Sequence, residues 1–134
     1  GAVSEDVLES LAVFGLTENY KTLGYVSHQE AIQIQHDAQV LLLVEMDSPE
    51  TKSIIPGKLF EYVAANRPIL ALGPEGSDVE GIIKETNTGL YFKYTDKEKL
   101  KQQVQLYYEA YLKANLNVNS KKIKGSTSTE VTIQ

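Results

Sequence analysis

The chain has 134 residues, 42% of them hydrophobic and 23% charged, with a net charge of −5 and an isoelectric point near 5.0. That length suits one domain with a real core, and the acidic balance argues against a general nucleic-acid binder, whose phosphate contacts demand a basic surface. Zero cysteines exclude a disulfide framework and thiol-based metal sites, and the longest unbroken apolar run, Val40–Val44, is far too short for a membrane span. The opening "GAVSEDVLES" lacks the basic and apolar regions of a signal peptide, so a cytoplasmic setting is expected.

In chain order, the spacing of Val7, Leu8, Leu11 and Phe14 predicts a helix over 4–14, stopped by Gly15. "YKTLGYV" (20–26) predicts a strand. Ser27 and Glu30 form a capping box that opens a helix over 27–39, with Ala31, Ile34 and Ala38 on one face. "VLLLVEM" (40–46) predicts a strand buried on both faces, as parallel sheets require. Residues 47–57 are a loop of turn formers, 58–66 a short helix whose Leu59, Phe60, Val63 and Ala64 turn inward, and "RPILALG" (67–73) a strand. A second capping box, Ser77 and Glu80, starts a helix through Lys84, and "TGLYFKY" (88–94) is the next strand. Thr95 and Glu98 make a third box before a long helix whose buried stripe is Leu100, Val104, Tyr107 and Tyr111.

Strands alternating with helices predict an α/β fold, a doubly wound, Rossmann-like parallel sheet. Such sheets begin with a central strand, and none precedes the first helix here, so the sheet is expected to lack its first strand. The domain is expected to cover 1–114. Residues 115–134 turn polar and read either as a flexible tail or, through the alternation of Thr127, Thr129, Val131 and Ile133, as a strand. Such a strand would fill the vacant place in the sheet, and failing that the exposed edges imply self-association.

The stretch "SIIPGKLFEYVAANRPILALG" carries the chemistry. Ligands of open parallel sheets bind beyond the carboxyl ends of the strands, where the following helices begin. Lys58 is predicted at such a helix start, where the dipole disfavours a cation by roughly 0.3–1 kcal/mol. A bound phosphate removes that conflict, taking the ammonium together with backbone N–H groups of Gly57 to Phe60, and Gly57 lets it come close. Glu61, three residues on, shares the face of Lys58. A carboxylate there accepts hydrogen bonds from vicinal hydroxyls, so the pair describes a nucleotide: phosphate on Lys58, ribose on Glu61. The same two side chains also fit a plainer reading, an exposed ion pair worth less than about 1 kcal/mol.

The segments "LGYVSHQEA", "DAQVLLLVEM", "IIPGKLFEYVAANRPILALGPEGSDVEGIIKETNTGLYF" and "DKEKLKQQV" resemble the C-terminal half of glycosyltransferase family 4, enzymes with two Rossmann-like domains in the GT-B arrangement. The resemblance covers Gly1 to about Leu112 and is strongest over "PGKLFEYVAANRPILA". It implies a domain that binds a nucleoside-diphosphate-sugar donor, with Glu61 on the ribose hydroxyls. It also implies that Gly24, Tyr25 and Val26 approach the base, Tyr25 by stacking, and that the loop Ser53, Ile54, Ile55, Pro56 and Gly57 faces the donor sugar and diphosphate through backbone groups, next to the expected phosphate site at Lys58 and Leu59. The parent enzyme would be a retaining glycosyltransferase that needs no metal or other cofactor. Its acceptor would sit on an N-terminal domain that is the implied partner, leaving the present chain inactive alone. Ser53 stands where the family has the first of two glutamates, eight positions before Glu61. A sugar-nucleotide epimerase of the same architecture and a non-catalytic interaction module are the alternatives.

Other constellations are weaker. His28 and His36 offer too few ligands for a metal site. No serine sits on a strand-to-helix elbow, and no G-x-G-x-x-G follows a strand. Lys97, Lys99 and Lys101 read as a solvated face.

Overall fold

The structure, a computed structural model, describes residues 2–119 and 131–133. The chain divides into two compact units, Gly1–Ala31 with Ile123–Gln134, and Ile32–Lys122.

The first unit holds α1 (Glu5–Val13), β1 (Tyr20–Thr22) and β5 (Val131–Ile133). Ser4 occupies the cap position of α1 without a side-chain bond, and Gly15 follows the helix with φ of 70°, a backbone conformation that glycine adopts without steric cost. β1 is shorter than the predicted 20–26: the chain leaves it before Gly24, whose φ of 64° is incompatible with a strand. β5 pairs with β1 in parallel, Tyr20 opposite Val131 and Thr22 opposite Ile133. The tail therefore does contribute a strand, but to a separate two-stranded sheet and not to the larger one. Thr127 and Thr129 lie outside the described residues.

α2 (His28–Asp37) opens on the predicted capping box. Glu30 N–H donates to Ser27 Oγ at 3.2 Å, and the Glu30 carboxylate accepts from Ser27 N–H at 2.8 Å. The Ser27 hydroxyl, which donates to Glu30 Oε2 at 2.7 Å, and then the Ser27 N–H hold the Glu30 carboxyl below the usual carboxylate range.

The second unit is an α/β layer built on a parallel sheet of β2 (Leu41–Val44), β3 (Ile69–Gly73) and β4 (Gly89–Lys93), in the order β2-β3-β4. α3 (Gly57–Ala64) links the first pair, α4 (Asp78–Thr86) the second, and α5 (Lys97–Asn119) follows β4. Residues paired across a parallel sheet point to the same side. One side carries Leu41, Leu43, Ile69, Ala71 and Tyr91, and packs with Leu59, Tyr62 and Ala65 of the α3 segment and Val79 and Ile83 of α4 as the core. On the other side Leu42 is 53% and Val44 60% exposed, while Leu70 of the central strand is buried. The predicted burial of "VLLLVEM" on both faces therefore does not hold: β2 is a terminal strand of this sheet, and one of its faces has a helical cover.

Helix starts depart from the sequence reading in detail. At α4, Ser77 Oγ accepts from Val79 N–H at 3.1 Å, but Glu80 reaches Gly76 N–H at 3.0 Å instead of Ser77. At α5 the first turn closes on Asp96, whose oxygen accepts from Leu100 N–H, so Thr95 is not the cap. α5 also runs five residues past the expected end of the domain at 114, and Val104 in its predicted stripe is 49% exposed.

α3 differs most usefully. Leu59 is fully buried and Tyr62 nearly so, whereas Phe60 is 59% exposed and Ala64 is exposed. Phe60 and Ala64 thus lie opposite the buried stripe. Leu59→Ala is expected to cost about 2–5 kcal/mol, the range for opening a cavity in a packed core, and Phe60→Ala no more than about 0.5 kcal/mol. Urea unfolding followed by circular dichroism checks both.

Candidate functional site

After the carboxyl end of β2 the chain makes a 3-10 turn, Pro49–Ser53, and then enters α3. Ser48 holds that turn, donating to the Glu50 carboxylate at 2.8 Å and lying 3.1 Å from the Thr51 hydroxyl. Ile54 N–H closes it on Thr51 O at 3.0 Å. Ser53 at its end and Ile54 and Ile55 beyond it are exposed, Pro56 is half-buried, and Gly57 and Lys58 are exposed. Pro56, with ψ of 139°, takes the cap position without a side-chain bond. A β-carbon on Gly57 would meet nothing within 4 Å, so a ligand can approach that backbone closely.

The orphan N–H groups are fewer than the predicted four. A helix beginning at Gly57 leaves its first three N–H groups without intrahelical acceptors in the α pattern, and Phe60 is the fourth residue. Leu59 N–H is taken by Pro56 O at 3.0 Å. An anion here meets the N–H groups of Gly57 and Lys58 and the Lys58 ammonium. Leu59 can offer such a ligand no side chain, since that side chain lies wholly in the core.

Glu61 sits one turn in and is half-buried. Its Oε2 accepts from Gln35 Nε2 at 3.0 Å. Gln35 is 2% exposed, and its Oε1 has no hydrogen-bond partner among the described residues. Beside Glu61, burial pushes the Tyr62 hydroxyl above its ordinary range, and the Glu61 charge adds to the shift. Gln35 was missed in the sequence, although it left a signal: a polar side chain in register with the apolar stripe Ala31, Ile34 and Ala38.

The remaining candidates, Gly24, Tyr25 and Val26, belong to the first unit, while Ser53 through Glu61 belong to the second. In the first unit the left-handed backbone at Gly24 turns the chain out of β1, and Tyr25 is left 87% exposed.

A second polar group lies at the carboxyl ends of the three strands. Glu45, which follows β2, is 5% exposed. Its carboxylate accepts from Ser77 Oγ at 2.9 Å and Tyr91 OH at 2.6 Å, and its backbone oxygen accepts from Tyr94 OH. The Tyr91 hydroxyl also lies 2.7 Å from Pro74 O. Burial first, and the bond to Glu45 second, push the Tyr91 hydroxyl far above its ordinary range. Gly73 is required beside this group, because a β-carbon there would collide with both the Glu45 carboxylate and the Tyr91 hydroxyl. The group is enclosed by its own bonds and acts as a clamp on the strand ends. Among the described residues, no three or more His, Cys, Asp or Glu side chains converge as metal ligands. His36 gives its backbone oxygen to Arg67 Nε at 2.8 Å. A shallow groove lined by Glu98, Lys101, Gln102, Gln105 and Leu106 involves α5 alone and none of the candidates.

Tyr91→Phe removes the hydroxyl whose one hydrogen faces the Glu45 carboxylate, and is expected to cost about 1–3 kcal/mol, the penalty for stranding a buried acceptor. Ser77→Ala in the same background should be non-additive, because both hydroxyls serve one carboxylate. A thermal-denaturation cycle on the two single variants and the double variant measures this. Compared with protein-family models, curated proteins and solved structures, the chain matched none.

Proposed function

We propose that this chain is the donor-nucleotide-binding domain of a retaining glycosyltransferase, its parallel sheet part of a doubly wound, Rossmann-like architecture. The observation that carries the reading is the start of α3: an open glycine backbone, the Lys58 ammonium and the half-buried Glu61 carboxylate within one helical turn. The resemblance of "PGKLFEYVAANRPILA" to the family's donor-binding segment supports it.

On this reading the diphosphate of a nucleoside-diphosphate sugar sits against Gly57 and Lys58, and the ribose hydroxyls donate to Glu61. The anomeric carbon–oxygen bond to the diphosphate breaks as the sugar passes to an acceptor hydroxyl with retained configuration. Negative charge grows on the leaving diphosphate, and the Lys58 ammonium and the two helix N–H groups oppose it without having to reorganise. Glu61 holds the donor and does not react. The acceptor is bound by another domain, and the setting is cytoplasmic. A second reading, a non-catalytic module, is favoured by one observation: Glu61 already has a protein partner in Gln35.

Calorimetric titration with UDP, GDP and ADP separates the two. Lys58→Ala should weaken diphosphate binding about tenfold to a hundredfold, the range for one charge-assisted hydrogen bond. Glu61→Gln should weaken ribonucleotide more than 2′-deoxyribonucleotide binding. Wild type and both variants binding alike, or none binding, would refute the donor site. The 134-residue chain is further expected to bind donor without transferring its sugar, and stoichiometric glycosylated product from the purified chain would overturn this.

A further inference from the structure

The outer edge of β2 is unguarded. In a parallel ladder the N–H and C=O of one residue point to the neighbouring strand and those of the next residue point away from it. Leu41 N–H donates to Pro68 O at 2.9 Å and Glu45 N–H to Leu72 O at 2.8 Å, so Leu41, Leu43 and Glu45 face β3. Leu42 and Val44 therefore aim their backbone groups outward, and among the described residues β2 pairs with no strand but β3. Their side chains stand on the open face, 53% and 60% exposed, and Met46, two residues on, is 77% exposed.

The opposite edge of the same sheet is closed. Ile69 N–H donates to Thr88 O, so on β4 it is Gly89, Tyr91 and Lys93 that face away from β3. Lys93 N–H is taken by Asp96 Oδ2 at 3.0 Å, and the lysine side chain, paired with Glu75, brings a charge to the strand end. Native sheets guard their edges in this way, with charges, prolines, bulges or a cover. β2, made of Leu41 to Val44, has neither charge nor proline.

The strand is also complementary to itself. Turned end for end about Leu43, a second β2 sets Leu42 against Val44 and Val44 against Leu42. Antiparallel residues opposed in this way exchange both N–H···O bonds, which satisfies each outward group, and apolar side chains meet apolar ones on the open face. We propose that the outer edge of β2 binds the β2 of a second copy of this chain, antiparallel and centred on Leu43, so that the two sheets become continuous. Neither Lys58 nor Glu61 is part of this edge.

The area involved sets the strength. Four residues of strand span about 13 Å. An overlap of that length buries well under the roughly 800 Å² per partner of a stable interface. The association is therefore weak and reversible, and it rises with concentration. A net charge of −5 on each copy opposes it at low salt, and screening relieves the repulsion.

The test is sedimentation velocity on the full 134-residue chain, from about 10 µM to about 1 mM, at low salt and at about 0.5 M sodium chloride. The mass is expected to rise from that of one chain toward that of two, further at high salt. Over the same range the amide protons of Leu42 and Val44 should exchange more slowly, while that of Lys93 keeps its rate. Leu42→Lys and Val44→Glu should each weaken association about tenfold or more, with the circular dichroism spectrum unchanged because both side chains are exposed. Mixing the two variants should restore association, since the register sets position 42 of one copy against position 44 of the other. A single-chain mass at every concentration and salt overturns the proposal. So does a dimer that both variants form as well as wild type, or one in which Leu42 and Val44 keep their exchange rates, because another surface then makes the contact. Failure of the mixture to associate overturns the antiparallel register. If either variant loses its fold, the exchange rates of the wild-type chain decide: slowing at Leu42 and Val44 supports the pairing, and unchanged rates overturn it.

Discussion

The burial of Leu59 governs the rest of the second unit. Its side chain lies entirely out of water, against the face of the sheet that carries Leu41, Leu43, Ile69 and Ala71. Burying a leucine is worth roughly 1.5–3 kcal/mol, and an eight-residue helix has little stability of its own. α3 is therefore held by its packing, with Tyr62 adding to the same contact. Once Leu59 points inward, the 100° step per residue places Lys58 and Glu61 on the flank of the helix and Phe60 outside. The charged pair is positioned by its apolar neighbours.

Two buried polar side chains frame this arrangement from opposite directions. Glu45 follows β2 and is satisfied by hydroxyls from α4's cap and from β4, so one carboxylate ties the end of β2 to α4 and β4. Removing a charge from water is tolerated there because each oxygen has a donor. Gln35 is the opposite case, with its donor used and its acceptor stranded. One polar group joins parts of the sheet layer, and the other bonds a single side chain, Glu61. Lys93 and Glu75, 2.7 Å apart, add an exposed ion pair near the Glu45 cluster of little energetic weight.

The order of elements from α1 to α5 was legible in the sequence because periodicity and turn residues report on the local chain. The capping box at Ser27 and the left-handed stop at Gly15 needed nothing but neighbours. What failed depended on distant partners. Burial of Leu42 and Val44 is decided by what lies over β2, and the hydrophobic run itself cannot say. Phe60 was expected inside because it is apolar, yet its helical phase relative to Leu59 puts it outside. At the candidate site, Lys58 and Glu61 were readable from their spacing. Gln35 was not, since its bond spans 26 positions of chain, and Glu45 meets Tyr91 across 46.

Gly89 carries a consequence for how the sheet finds its alignment. It lies opposite Ile69, and a β-carbon at that point would run into the Ile69 carbonyl. Sliding β4 by one residue would bring Thr88 or Leu90 to the place where only a hydrogen fits. It would also turn every side chain of β4 to the opposite face. The bare α-carbon thus works as a register pin: in the native alignment it lets the backbones of β3 and β4 close where a side chain on β4 would hold them apart.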